Sequence, residues 1–246
     1  MRLHDASEYA QHPYFNARRE ADAARHRERN RDLLRNLFGG ESVHNRRMLD
    51  VGCDTGALIT QAREEFGCDV EGVEVAREAA ERGRAAGLTI HLGTVDMLGL
   101  PAEHFDFITM IDVIEHVAAP DAVVAAVARL LKPGGRFCVM TPNHAAWVYT
   151  LARAGGWLPF VGMPAREKLY IQYHEMYFDR PSLAALCARF GLRIAQQELR
   201  EFPLDEFGHG AAWAAVVRPL FAFQSLTGRQ TLQWLVAEKT PPGKSE

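Results

Sequence analysis

The chain has 246 residues, 48% hydrophobic and 24% charged, the usage of one globular domain large enough to bury a continuous core. Its net charge of −3 offers no basic field to draw it onto a phosphate backbone or an anionic membrane, so nucleic acid is not an expected partner. No apolar run reaches the roughly 18 residues that span a bilayer and the N-terminus lacks the basic-then-apolar layout of a signal peptide, which makes a cytoplasmic location the expectation.

Arg2 to Arg47 is rich in Arg, Glu and His, with Leu33, Leu34, Leu37 and Phe38 at helical spacing before Gly39-Gly40 stops the pattern. This reads as an N-terminal helical extension over 1–46, its charges forming a solvated face. From Arg47 onward, short β-rich runs alternate with helical ones, the signature of βαβ units and a mostly parallel sheet. The strands are expected at Met48–Val51, Asp69–Val73, Thr89–Leu92, Phe105–Ile111, Arg136–Thr141, Leu192–Leu199 and Thr231–Ala237. Helices are expected over Ala57–Glu65, Ala76–Ala86, Ala119–Leu131 and Arg180–Phe190, the third ended by Lys132-Pro133-Gly134-Gly135. One α/β domain over 47–246 follows, with insertions at about 144–173 and 202–229 of a length that builds lids or binding loops. The oily segment Ala211–Phe223, broken by Arg218 and Pro219, reads as a lid or a homodimer surface. Cys53, Cys68, Cys138 and Cys187 form no CxxC pair and read as reduced, packed thiols.

The first strand runs into Leu49-Asp50-Val51-Gly52-Cys53-Asp54-Thr55-Gly56. A glycine turn between a strand and a helix lets a ligand approach the backbone at the carboxyl edge of the sheet. A dinucleotide site needs G-x-G-x-x-G to seat its pyrophosphate on helix amides. Here Asp54 stands between Gly52 and Gly56, and its carboxylate disfavours a dianionic group. S-adenosylmethionine (SAM) has no phosphate, and its ammonium and sulfonium tolerate acidic neighbours. Glu74, at the end of the second strand and about 20 residues past the turn, is placed to accept both ribose hydroxyls. Asp96, after the third strand, is placed to accept from the adenine amine. Standing alone, a Glu after a strand is more often an exposed N-cap, and Asp96 reads equally as the N-cap of a short helix.

From Arg47 to Lys239 these residues resemble the class I SAM-dependent methyltransferases. Leu49 to Leu58 is similar to that family's first motif, Glu74 to its second, Val95-Asp96-Met97 to its third, and Phe105 to Asn143 to its fourth motif and fifth strand. The subgroup of ubiquinone-biosynthesis O-methyltransferases shares Glu115-His116-Val117, and the His174-Glu175-Met176-Tyr177-Phe178 run followed by Ser182-Leu183. The resemblance implies a Rossmann-like seven-stranded sheet with its last strand antiparallel and helices on both faces. It places Asp50, Gly52, Cys53 and Gly56 against the methionyl part of SAM, Glu74 and Val75 against the ribose, and Asp96 and Met97 against the adenine. Asp54 and Thr55 in the turn and Ile111 at the end of the fourth strand complete the expected cofactor contacts. Asp54 departs from the family, which usually has Gly there, but Asp tolerates left-handed backbone angles better than most residues.

Methyl transfer from a sulfonium is an in-line displacement, so the enzyme aligns the acceptor and, for a hydroxyl, removes its proton. His116, just past the fourth strand, is the first candidate base, because an imidazole's ordinary pKa suits base work near neutrality. His174, in the aromatic run after the first insertion, is the second. Trp147, Tyr149, Trp157 and Phe160 supply a stacking surface for a flat acceptor. No Asn/Asp-Pro-Pro-Tyr signature of adenine or amide N-methylation follows the fourth strand. Asp112 and Asn143 are hard ligands without an evident third, so no metal is expected. The expected activity is methylation of a hydroxyl on a small, aromatic or natural-product-like acceptor; N- or C-methylation and a non-catalytic SAM-binding module are the alternatives.

Overall fold

The computed structural model describes residues 23–154, 174–201 and 211–241. In chain order these form α1 (Ala23–Phe38), β1 (Arg47–Val51), α2 (Ala57–Phe66), β2 (Asp69–Glu74), α3 (Arg77–Ala85), β3 (Thr89–Leu92), β4 (Phe105–Ile111) and a 3-10 turn (Ile114–His116). There follow α4 (Pro120–Leu130), β5 (Leu131–Pro142), α5 (Trp147–Ala154), α6 (Arg180–Arg189), β6 (Leu192–Arg200), α7 (Ala211–Thr227) and β7 (Leu232–Lys239). The strands make one seven-stranded sheet in the order β3-β2-β1-β4-β5-β7-β6, with β7 antiparallel to both β5 and β6. The expected sheet and its antiparallel last strand are therefore present.

Side chains alternate between the two faces because successive residues of a strand point opposite ways. Leu49 and Val51 of β1 join α4 and α6 on one face, and Met48 joins α1 and α2 on the other. Leu33, Leu34, Leu37 and Phe38 of α1 are essentially fully buried, each worth about 1.5–3 kcal/mol, so this end of the N-terminal helix belongs to the sheet's core. The Arg136 guanidinium closes α1 by donating to the Leu37 and Phe38 carbonyls at 3.2 and 2.9 Å. All four cysteines are buried and free.

Three segments differ from expectation. Lys132 to Gly135 does not separate α4 from the next strand; β5 starts at Leu131, pairs it with Phe105, and resumes with Arg136 opposite Phe107, leaving the Pro-Gly-Gly residues as a bulge. The oily segment, given no helix in the sequence reading, forms α7, which runs through Pro219. The insertion after β5 opens with α5, while 155–173 and 202–210, including Trp157 and Phe160, lie outside the described residues.

Candidate functional site

The strand order reverses between β1 and β4, and open α/β sheets bind ligands in the crevice beyond the carboxyl ends of the strands at that switch. The turn after β1 sits there. Gly52, Asp54 and Gly56 all take positive φ, at 77°, 51° and 89°. A Cβ on Gly52 would collide with Val113, and one on Gly56 with Leu88, so both positions require glycine on two counts. Asp54 adopts the left-handed conformation its residue type tolerates.

Glu74 is 8% exposed and its carboxylate points at the turn, accepting from the Asp54 amide at 2.8 Å and the Ala76 amide at 2.7 Å. Two backbone donors therefore fix the carboxylate in place and leave lone pairs for an incoming ligand. Beside it Val75 is 52% and Met97 84% exposed, apolar faces open at the crevice edge. Asp96 is exposed in a turn rather than at a helix start.

The rest of the β1 motif faces inward. Asp50 is 4% exposed; Thr109 donates to its carboxylate at 2.7 Å. Burial pushes this carboxyl up to about 7 against the pull of that hydroxyl, with the charge of Glu74 adding to the rise. Cys53 is buried, and burial pushes its thiol far above the ordinary range, so the turn offers a ligand the Cys53 backbone and not its sulfur. Thr55 is half-buried in the turn, and Ile111, ending β4, packs on the α2 side of the sheet.

At the end of β4, Asp112 has a φ of 53° and the chain drops into the 3-10 turn that carries His116. The His116 and His174 rings meet edge to face with centroids 4.8 Å apart. Glu115, 2% exposed, completes a group whose ligand-type atoms lie within 4.8 Å of one another, close enough to share a proton or one cation. The Thr141 hydroxyl donates to the Glu115 carboxyl at 2.8 Å. Burial, then the charge of Asp112, holds that carboxyl well above the usual carboxylate range. The Glu115 carbonyl accepts from the Glu175 and Met176 amides at 2.8 and 3.0 Å, and this pairing draws His174 over His116. Burial, then the neighbouring His116, lowers the His174 imidazole to about 4. Its Nδ1 is buried with no hydrogen-bond partner among the described residues.

Asn143, considered as a metal ligand on sequence grounds, is spent on structure. Its side chain donates to the Gln230 carbonyl and accepts from the Ala145 amide. Among the described residues the compact donor set is instead Glu115, His116 and His174, which the sequence could not join because the two histidines stand 58 positions apart. Trp147 takes part in packing between α5 and α7: its Nε1 donates to Thr227, and its ring packs on Phe223 and under Arg229. A cavity of about 300 Å³ opens elsewhere, among Arg46, Asp106, Lys132 and Arg136. Asp106 already holds Arg46 and Lys132, and Glu41 holds Arg136, so no cation there awaits a ligand.

A sequence family described as a methyltransferase domain matches residues 21–197, well over half of the chain. The chain is 28% identical over 207 residues to a ubiquinone biosynthesis O-methyltransferase of Bordetella avium, covering 80% of this chain and 77% of that one. It is 36% identical over 122 residues to the protein of the same name from Methylococcus capsulatus, covering 46% and 51%. Among solved structures, Haemonchus contortus phosphoethanolamine N-methyltransferase 2 in complex with S-adenosyl-L-methionine superposes with a TM-score of 0.60 at 18% identity, over 87% of this chain and 52% of that one. No described helix is long and apolar enough to cross a membrane.

Proposed function

We propose, for a chain that belongs to the class I SAM-dependent methyltransferases and takes SAM as its cofactor, that the methyl group goes to a hydroxyl of a small aromatic or natural-product-like acceptor. The observation that carries this reading is the pairing of His116 with His174 at the open end of β4. An amine or a carbanion brings its own electron pair, but a hydroxyl gains most from a base at the moment of transfer.

The crevice suits an adenosyl sulfonium. The turn has no phosphate cradle, its glycines leave room for a ligand against the backbone, and acidic side chains surround it. Glu74, already oriented by two amides, holds the ribose hydroxyls; Val75 borders the sugar, and Met97 and Asp96 take the adenine face and amine. Gly52, the Cys53 backbone, Asp54, Thr55 and Gly56 line the methionyl end, with Asp50 beneath and Ile111 beside them. Bound SAM supplies an electrophilic methyl on sulfur, with no further cofactor chemistry required.

The two imidazoles divide the work. A group lowered to about 4 is a weak base at neutral pH, so His174 stays neutral and orients the acceptor. His116 removes the hydroxyl proton. The curated relatives named as O-methyltransferases support the same acceptor atom.

Incubating the protein with labelled SAM and a panel of phenols, aliphatic alcohols and amines tests the assignment. Label is expected on phenolic oxygen. Transfer confined to amines, or none at all from a protein that binds SAM, would count against it.

A further inference from the structure

The turn assigned to the cofactor and the turn that carries His116 touch through one side chain. Between β4 and the 3-10 turn, a γ-methyl of Val113 occupies the place where a Cβ on Gly52 would stand. The Val113 carbonyl accepts from the His116 amide at 2.9 Å. One residue therefore meets the glycine turn with its side chain and the backbone of His116 with its main chain.

Both contacts are held on fixed backbone. The Gly52 and Cys53 amides donate to the Val73 carbonyl of β2 at 2.8 and 3.1 Å, which ties the glycine turn to the sheet. On the other side the Asp112 amide donates to the Met140 carbonyl of β5 at 3.0 Å, and Ile114, which follows Val113, is fully buried. Val113 is half-buried and packs on the core shared with α4 and α6. A packed interior transmits a displacement rather than absorbing it, so the size of this side chain fixes how far the two turns stand apart.

That separation matters to an in-line displacement. As the carbon–oxygen bond forms, the carbon–sulfur bond breaks and the hydroxyl proton passes to the imidazole, so sulfonium and base must be held in one geometry. A misplacement of about 1 Å costs on the order of 10²-fold. We propose that Val113 is a positioning residue for methyl transfer, a steric spacer that sets the distance between the cofactor turn and His116. This rests on the hydroxyl-methylation reading with His116 as its base.

The experiment measures kcat and KM with labelled SAM and 2-naphthol, and the SAM Kd by calorimetry. It compares the full-length protein with Val113→Ala, Val113→Thr, His116→Ala, and Val113→Ala combined with His116→Ala. Val113→Ala removes the γ atoms that face Gly52 and should lower kcat about 10–100-fold, with the acceptor KM and the SAM Kd held. Val113→Thr keeps the branched shape and should restore kcat to near the wild-type value. Because Val113 acts through His116, adding Val113→Ala to His116→Ala should change kcat by less than about twofold. An unchanged kcat in Val113→Ala overturns the spacer, even if the melting temperature falls. So do a loss confined to SAM binding, a Val113→Thr variant as slow as Val113→Ala, and losses that multiply in the double variant. His116→Ala scores the base separately: full turnover there removes the base and the spacer with it. A wild-type protein that binds SAM yet methylates neither 2-naphthol nor any other phenol removes the hydroxyl reading itself.

Discussion

The two halves of the crevice are built by different means. On the side we assign to the cofactor, the residues form one unbroken stretch from Asp50 to Gly56 plus Glu74, and much of its geometry is backbone: positive φ at three residues and amides that fix a carboxylate. On the side we assign to the acceptor, the groups brought together are side chains from the end of β4, the end of β5 and the segment after the insertion. Hydrogen bonds from Thr141 and from the Glu175 and Met176 amides hold them together at Glu115. The first half should bind without the second, and damage to each should register in a different constant.

The sharpest division comes from His116→Ala. With base catalysis gone, turnover of a phenol should drop about 10²–10⁴-fold, and the SAM Kd measured by calorimetry should stay within a factor of two or so. His174→Ala should cost less, because a neutral imidazole that orients the acceptor is partly replaced by the remaining contacts. A His116→Ala protein with full turnover would remove the acceptor half's chemistry from this part of the edge.

That contrast also explains what was legible in the sequence. The glycine turn and Glu74 announce themselves because contiguous residues and a fixed βαβ spacing make them neighbours whatever the rest of the chain does. All seven strands lie close to their expected positions for the same reason: their signal is local periodicity. Glu115 passed as part of a pattern, because what it holds together depends on a hydroxyl and amides tens of residues away. The packing of Trp147 was not legible either, since an aromatic in an insertion has no periodicity to tell a pocket wall from helix packing.

Glu74→Gln should act on the other half and by a smaller factor. Both carboxylate oxygens accept backbone N–H groups, so an amide must set its NH₂ against one of them, disturbing the turn as well as the ribose contact. Hydrogen bonds to a charged group are worth about 1.5–3 kcal/mol, which places the loss of SAM affinity at roughly 10–100-fold, with kcat recovered at saturating SAM. If kcat fell while the SAM Kd held, the cofactor and acceptor assignments would be exchanged.

The smallest effect is expected from Asp50→Asn, and it bears on how the cofactor half is coupled to its core. The Asp50 carboxyl stands at about 7 in the folded protein against an ordinary value of 3.8. Between those values the folded state binds the extra proton, so stability contributed by the neutral acid is complete below pH 4 and is lost as pH rises through 7. Asparagine keeps an oxygen for the Thr109 hydroxyl and never ionises. The melting temperature of Asp50→Asn relative to wild type should therefore be higher at pH 8 than at pH 5, by about 2–4 °C for each kcal/mol removed in a protein of this size. SAM at saturation should narrow the gap, because a cation beside the carboxylate favours its charged form. A gap that ignores pH would mean that Asp50 ionises normally, and one that ignores SAM would move the methionyl charges away from Asp50.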